Sequence, residues 1–166
     1  MKIIMGSPVK GLALKNAVKK HLESQGHEII DVGCYSDETF IKYTATGERV
    51  AKALQDGVAE IAINFCGSGT GASISANKFR GVLACSCESV KTAELIHKVN
   101  GANCLCMGEG VVEPELGCQM ADAFINAEFQ AVDGIPADVL AFWKEAHDEM
   151  MQRGDEATDR ELETLS

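Results

Sequence analysis

Residues 64–78 carry the clearest chemical signal in the chain, reading Asn-Phe-Cys-Gly-Ser-Gly-Thr-Gly-Ala-Ser-Ile-Ser-Ala-Asn-Lys. Cys66 ends an apolar run, and glycines then alternate with Ser68 and Thr70 before a short helix from about Ala72. Glycines let backbone N–H groups approach a ligand closely, and the amino end of a helix favours negative charge. The segment therefore predicts a site for an anion or a developing oxyanion, beside a thiol favoured as thiolate.

Other sites that use glycine-rich loops fit this segment poorly. A nucleotide-binding P-loop ends in Gly-Lys-Ser/Thr, which is absent here. A dinucleotide-binding loop usually belongs to the first strand–helix unit and has no thiol at this position. A simple packing role remains the alternative for Cys66, but its place at a strand end favours a functional one.

The chain contains seven cysteines, an odd number, and its first apolar run, residues 3–5, is too short for a secretory signal. Reduced thiols in a reducing compartment are therefore expected, and with them a cytoplasmic protein. The pairs Cys85-x-Cys87 and Cys104-x-Cys106 lie in apolar runs typical of strands, where this spacing puts both thiols on one face. Buried packing is favoured over a metal for both pairs, so we expect no metal site.

Composition and charge exclude several classes of protein. The chain has 166 residues, of which 46% are hydrophobic, which is enough for one domain with a core. Its net charge of −10 makes nucleic acid an improbable partner, because phosphate-backbone binders are usually basic. No apolar stretch approaches the roughly 20 residues of a membrane span. A small molecule is the expected ligand.

Apolar runs alternate with amphipathic stretches along the chain. The predicted strands are 2–6, 27–32, 61–65, 81–86 and 104–107, and the predicted longer helices are 11–25, 46–56, 89–99 and 114–126. This alternation predicts a three-layer α/β/α, Rossmann-like (flavodoxin-like) domain with a parallel sheet of about five strands. Ligands bind such sheets at the carboxyl ends of the strands, so we expect the site at loops 6–11 and 66–71 and after Val99.

The pattern changes beyond Phe129. Residues 136–152 predict an additional helix with Leu140, Phe142 and Trp143, and residues 154–166 are acidic and predict a frayed end. We therefore divide the chain into a domain at 1–130, a helical extension at 131–153 and a tail at 154–166.

The sequence Cys-Gly-Ser-Gly-Thr-Gly, followed by Ala-Asn-Lys, resembles the signature loop of the ribose-5-phosphate isomerase B and galactose-6-phosphate isomerase family. Similarity extends from Met1 to about Phe129. It includes residues 6–11, 31–36, Tyr43, 50–51, 100–103 and 107–108.

The resemblance implies an aldose–ketose isomerase that works through a cis-enediolate and needs no cofactor. It makes Cys66 the base and Ser68 the proton shuttle, because the glutamate used by another branch of the family is Ala72 here. The implied substrate-binding groups are the loop amides and side chains around the pocket: Gly67, Gly69, Thr70, Gly71, Ser7, Tyr43 and Asn100. Two lysines that the family pattern does not supply, Lys10 and Lys42, are further candidate binding residues. A homodimer or homotetramer that shares its pockets between subunits is also implied.

The departures from the family fall on two functions, ring opening and phosphate binding. The family reads Gly-x-Asp-His-x-Gly after the first strand, whereas residues 6–11 are Gly-Ser-Pro-Val-Lys-Gly. The ring-opening histidine aligns with Val99, a phosphate-binding arginine aligns with Gly110, and the family's Gly-Gly-Arg-His segment is replaced at 133–136. Either the substrate is unphosphorylated, a sugar acid or open-chain, or Lys10, Lys42 and Arg80 rebuild an anion site.

The expected function is therefore a ketol isomerase for a small sugar, sugar phosphate or sugar acid. A non-catalytic sugar-binding paralogue of the same fold is the alternative, favoured by the missing histidine. A nucleotide or flavin binder has only fold analogy in its support.

Overall fold

The computed structural model describes residues 1–157. Its strands are β1 (Lys2–Gly6), β2 (Glu28–Asp31), β3 (Ala62–Cys66), β4 (Ala84–Ser86) and β5 (Cys104–Gly108). Its helices are α1 (Leu12–Ser24), α2 (Tyr43–Gln55), α3 (Thr70–Ala76), α4 (Val90–Asn100), α5 (Pro114–Ile125) and α6 (Ala137–Met151). No helix in this part of the chain is both long and apolar enough to cross a membrane.

The five strands form one parallel sheet in the order β2-β1-β3-β5-β4. The predicted α/β fold with a five-stranded parallel sheet is confirmed. The order keeps the first three positions of the flavodoxin arrangement, 2-1-3-4-5, and exchanges the last two. Consequently β3 lies at the centre of the sheet, with all five of its residues buried.

Two apolar clusters cover the two faces of the sheet and give the three layers. One contains Ile63 and Phe65 of β3 with apolar residues of α1, α4 and α5. The other contains Ala62 and Cys66 of β3 with residues of α2 and α3. Side chains alternate between faces along a strand, so the central strand contributes to both clusters.

Two predicted boundaries differ from the structure by three residues. Helix α2 begins at Tyr43 rather than at residue 46, because its first turn is largely solvent-exposed and shows no apolar spacing. Strand β4 begins at Ala84 rather than at residue 81. The side chain of Asn103 takes the place of a neighbouring strand there, accepting from the Leu83 N–H (2.9 Å) and donating to the Gly81 carbonyl (2.7 Å).

The C-terminal extension closes the amino edge of the sheet. Helix α6 lies near Phe129, whose ring centroid is 4.9 Å from that of His147. After it, Asp155 exchanges backbone hydrogen bonds with residues 78 and 80, and the Ala157 N–H donates to Gln55 Oε1 (2.7 Å). Residues 154–157 are therefore hydrogen-bonded rather than frayed; the rest of the expected tail, 158–166, lies outside the described residues.

Candidate active site

The candidate site lies at the carboxyl edge of the sheet, between β1 and β3. The chain leaves β1 for α1 on one face and leaves β3 for α3 on the other, which opens a crevice between the two loops. The loops touch at the base of this crevice, since a Cβ atom on Gly11 would lie 2.9 Å from the backbone nitrogen of Cys66. A glycine is required at that contact.

Cys66 is the last residue of β3 and is 6% exposed. Its Sγ accepts a hydrogen bond from the backbone N–H of Gly69 at 3.1 Å. This geometry depends on a left-handed backbone at Gly69 (φ 80°), which glycine adopts without steric cost. The predicted base therefore lies within hydrogen-bonding distance of a loop N–H.

The hydroxyls of Ser68 and Thr70 project from the same loop into solvent and bond to each other, with 2.7 Å between their oxygens. Either hydroxyl can donate in this pair. The pair is therefore compatible with the predicted shuttle role of Ser68.

The end of β5 fixes the other side of the loop. A Cβ atom on Gly108 would lie 2.3 Å from the carbonyl carbon of Ser68, so the two backbones are in direct contact. The Glu109 N–H donates to the Cys66 carbonyl (2.9 Å) and the Gly110 N–H to the Gly67 carbonyl (2.8 Å). Gly110, the position aligned with a family arginine, thus holds the loop through its backbone.

Glu109 is a residue that the sequence did not single out. Its Oε2 accepts from the Gly11 and Ala13 N–H groups, both at 3.0 Å, and so occupies the amino end of α1. A substrate anion cannot use these donors while the carboxylate holds them. Nothing in the local pattern around Glu109 indicates this partner, because the bond joins residues nearly a hundred positions apart.

Three predicted binding residues lie near the loop. The Cβ of Lys10 is 3.8 Å from the point that a Cβ on Gly67 would occupy, and the Tyr43 ring comes within 3.1 Å of the equivalent point at Gly71. Lys42 directly precedes Tyr43. The side chains of Lys10 and Lys42 are exposed and make no hydrogen bond or ion pair within residues 1–157.

Two further predicted binding residues are not exposed in the crevice of a single chain. Ser7 directly follows β1 at the carboxyl edge, but its side chain is fully buried beside the Cys34 thiol. Asn100 ends α4, which runs from the carboxyl edge of the sheet back to the amino edge where β5 begins. The expectation that the segment after Val99 lies beside the other two loops is therefore wrong.

Arg80, Cys104 and Cys106 are engaged in contacts with other protein side chains. Arg80 pairs with Glu156 (2.9 Å) at the amino edge, which removes it from the proposed anion site. The Sγ atoms of Cys104 and Cys106 are 3.9 Å apart. Burial, with the neighbouring Cys104, raises the pKa of Cys106, so this thiol stays neutral. Residues 1–157 contain no group of three or more His, Cys, Asp or Glu side chains arranged to hold a metal ion.

A thiol at the end of a central parallel strand, hydrogen-bonded by a loop N–H at the switch point of an α/β sheet, is an arrangement suited to proton transfer. The chain matches the Ribose/Galactose Isomerase family model over residues 3–135 and belongs to that family of sugar isomerases. The resemblance drawn from the glycine loop is thus confirmed.

Named relatives include isomerases of different sugars. The chain is 40% identical over 129 residues to 4-deoxy-4-sulfo-D-erythrose isomerase of Clostridium sp. (strain MSTE9), covering 78% of this chain and 81% of the relative. It is 36% identical to ribose-5-phosphate isomerase B of Escherichia coli (78% and 86% covered). It is 30% identical to D-erythrulose-4-phosphate isomerase of Pectobacterium atrosepticum (82% and 90% covered).

The fold also matches solved structures of ribose-5-phosphate isomerase B. Ribose-5-phosphate isomerase B of Clostridium thermocellum superposes with a TM-score of 0.79 at 33% identity, covering 90% of this chain and 97% of that one. The shared fold therefore includes part of the extension after residue 130.

Proposed function

We propose that this chain interconverts the aldose and ketose forms of a four-carbon sugar that stays open-chain and carries an anionic group at its far end. The observation that carries the proposal is the Cys66 thiol, which lies against the Gly69 N–H at the switch point while the family's ring-opening histidine is Val99. The proposed base is present and the ring-opening group is absent, so the substrate must already be open-chain, with a free carbonyl group.

The reaction is a proton transfer in which the loop supplies every group. The Cys66 thiolate removes the proton from C2 of the aldose, which leaves a cis-enediolate whose oxygens lie against the backbone N–H groups of Gly67, Thr70 and Gly71. Preorganised donors of this kind each stabilise a developing oxyanion by about 3 kcal/mol. Ser68 carries a proton from O2 to O1, and the Cys66 thiol returns its proton to C1 to give the ketose.

The length of the substrate follows from the chemistry of ring closure. An aldotetrose can close a five-membered ring only through its C4 hydroxyl. If C4 carries a sulfonate, or if its oxygen is esterified to phosphate, that ring cannot form. Such a sugar needs no ring-opening histidine, which accounts for Val99. The sulfo-erythrose and erythrulose-phosphate isomerases among the relatives act on sugars of this length, which supports the proposal.

The proposal includes a homo-oligomer in which residues of two chains together form each pocket. Asn100 and Val99 lie at the amino edge of one chain, far from its own Cys66, yet they align with family residues of the pocket. Helix α6 leaves Phe142 63% exposed and has no buried residue, so it offers an apolar surface to another copy. A second copy would bring its amino edge to the first copy's thiol.

Exchange of the C2 proton in heavy water tests the proposed function, because it detects proton abstraction even when net conversion is small. Four probes separate the possibilities: D-erythrose 4-phosphate, 4-deoxy-4-sulfo-D-erythrose, D-erythrose and D-ribose 5-phosphate. We expect the two anionic tetroses to exchange fastest and ribose 5-phosphate to be poor, since each lost phosphate contact costs about tenfold in kcat/KM.

Two outcomes would contradict the proposal. Turnover of ribose 5-phosphate at about 10⁴ M⁻¹s⁻¹ or higher would mean that ring opening and phosphate binding have been rebuilt from other residues. Binding of the sugars without any exchange would instead favour the non-catalytic sugar-binding paralogue.

A further inference from the structure

Unpaired cations border the catalytic loop, whereas several nearby cations are already engaged. At the carboxyl edge, Lys91 pairs with Glu94 (2.9 Å), and Arg49 of α2 donates to the Val32 carbonyl. Lys15 is fully buried and bound to Asp31 (2.8 Å). Lys10 and Lys42 have no such partner within residues 1–157, so their charges are available to a ligand.

Position distinguishes these two lysines. The Cβ atom of Lys10 lies 3.8 Å from the point that a Cβ atom on Gly67 would occupy, and Gly67 is the residue next to the proposed reacting thiol. Lys42 is separated from the loop by Tyr43, whose ring covers Gly71. A sugar whose C2 lies at Cys66 carries its terminal group only two carbons further on, within reach of the flexible lysine stem.

We propose that Lys10 binds the terminal anionic group of the substrate and makes the site selective for a monoanionic sulfonate over a phosphate dianion. This inference rests on the proposed function, because it assigns one end of the same four-carbon sugar. It makes Lys10 a specificity-determining residue, while the reacting groups remain Cys66 and the loop.

The preference for a single negative charge follows from the surrounding groups. A phosphate monoester carries about −1.5 to −2 charges at neutral pH and is best held by the planar fork of arginine. The position aligned with the family arginine is Gly110, and the amino end of α1 is occupied by the Glu109 carboxylate. One lysine balances a sulfonate, whereas the second charge of a phosphate stays unbalanced near Glu109.

The test compares Lys10→Gln, Lys10→Arg, Lys42→Gln and the matched control Lys91→Gln with the unmodified protein. Steady-state kinetics use 4-deoxy-4-sulfo-D-erythrose, D-erythrose 4-phosphate and D-erythrose. For Lys10→Gln we expect KM for the sulfonated tetrose to rise about 10- to 100-fold with kcat nearly kept, since a charged hydrogen bond is lost. The rise should be absent for D-erythrose, which has no terminal charge, and mostly reversed in Lys10→Arg.

Binding measured separately keeps this inference distinct from the proposed function. Calorimetry on Cys66→Ala and on Cys66→Ala/Lys10→Gln measures affinity for the sulfonated tetrose without turnover. If no tetrose exchanges its C2 proton but affinity still depends on Lys10, the proposed function fails and the Lys10 assignment stands. If exchange occurs and Lys10→Gln leaves KM unchanged, or Lys42→Gln has the larger effect, the assignment is overturned. Preference for the phosphate over the sulfonate overturns the charge argument.

Discussion

The two edges of the sheet differ in how far their polar groups are paired. At the amino edge, polar groups are paired. The Asn103 side chain hydrogen-bonds to the backbone of Gly81 and Leu83, and the Asp155 backbone hydrogen-bonds to that of residues 78 and 80. At the carboxyl edge, Lys10 and Lys42 are unpaired within the described chain, and the hydroxyls of Ser68 and Thr70 face solvent. Paired groups contribute to stability, whereas unpaired ones are free to bind a substrate, so the edges should respond differently to mutation.

The largest contrast should come from Cys66→Ala at the carboxyl edge. The substitution removes the proposed base but leaves a small apolar residue in a small buried space, so the fold should persist. We expect C2-proton exchange to fall by about 10²- to 10⁴-fold, the range that a positioned general base contributes. Exchange assays with thermal unfolding as the control measure both quantities, and exchange near the unmodified rate would remove Cys66 from the mechanism.

Asn103→Ala at the amino edge should show the opposite behaviour. It leaves the Leu83 N–H and the Gly81 carbonyl without their side-chain partner just before β4. We expect the free energy of unfolding to fall by about 1 kcal/mol, because two partly buried backbone groups lose their hydrogen-bond partner. Urea unfolding measures this loss. Because kcat should stay within about twofold, a large activity loss at unchanged stability would contradict the division between the edges.

The sequence predicted the carboxyl edge well where the signal was local. The apolar run that ends at Cys66 and the alternating glycines together determine the strand, the turn and the start of α3, and all three appear as expected. The strand–helix alternation likewise determines a parallel sheet. The exchanged positions of β4 and β5 carry no local signal, because strand order depends on how whole units pack.

Long-range pairs could not be predicted from local pattern. Lys15 of α1 is fully buried because it pairs with Asp31 of β2, and no local pattern around Lys15 indicates that partner. The predicted edge for Asn100 is wrong, because α4 returns the chain from the carboxyl end of β4 to the amino end of β5. Glu109 meets the start of α1 only after the whole sheet has formed.

The last prediction tests whether Asn100, at the amino edge of one chain, contributes to the Cys66 pocket of another chain. In the proposed oligomer, Cys66 of one copy and Asn100 of another line the same pocket. Cys66→Ala and Asn100→Ala should each be weakly active alone. Unfolding and refolding them together as an equal mixture gives half mixed dimers, each with one intact pocket of two, and should restore about a quarter of the unmodified activity. Sedimentation of the unmodified protein at micromolar concentration should show no stable monomer, and a mixture no more active than its parts would place Asn100 outside the pocket.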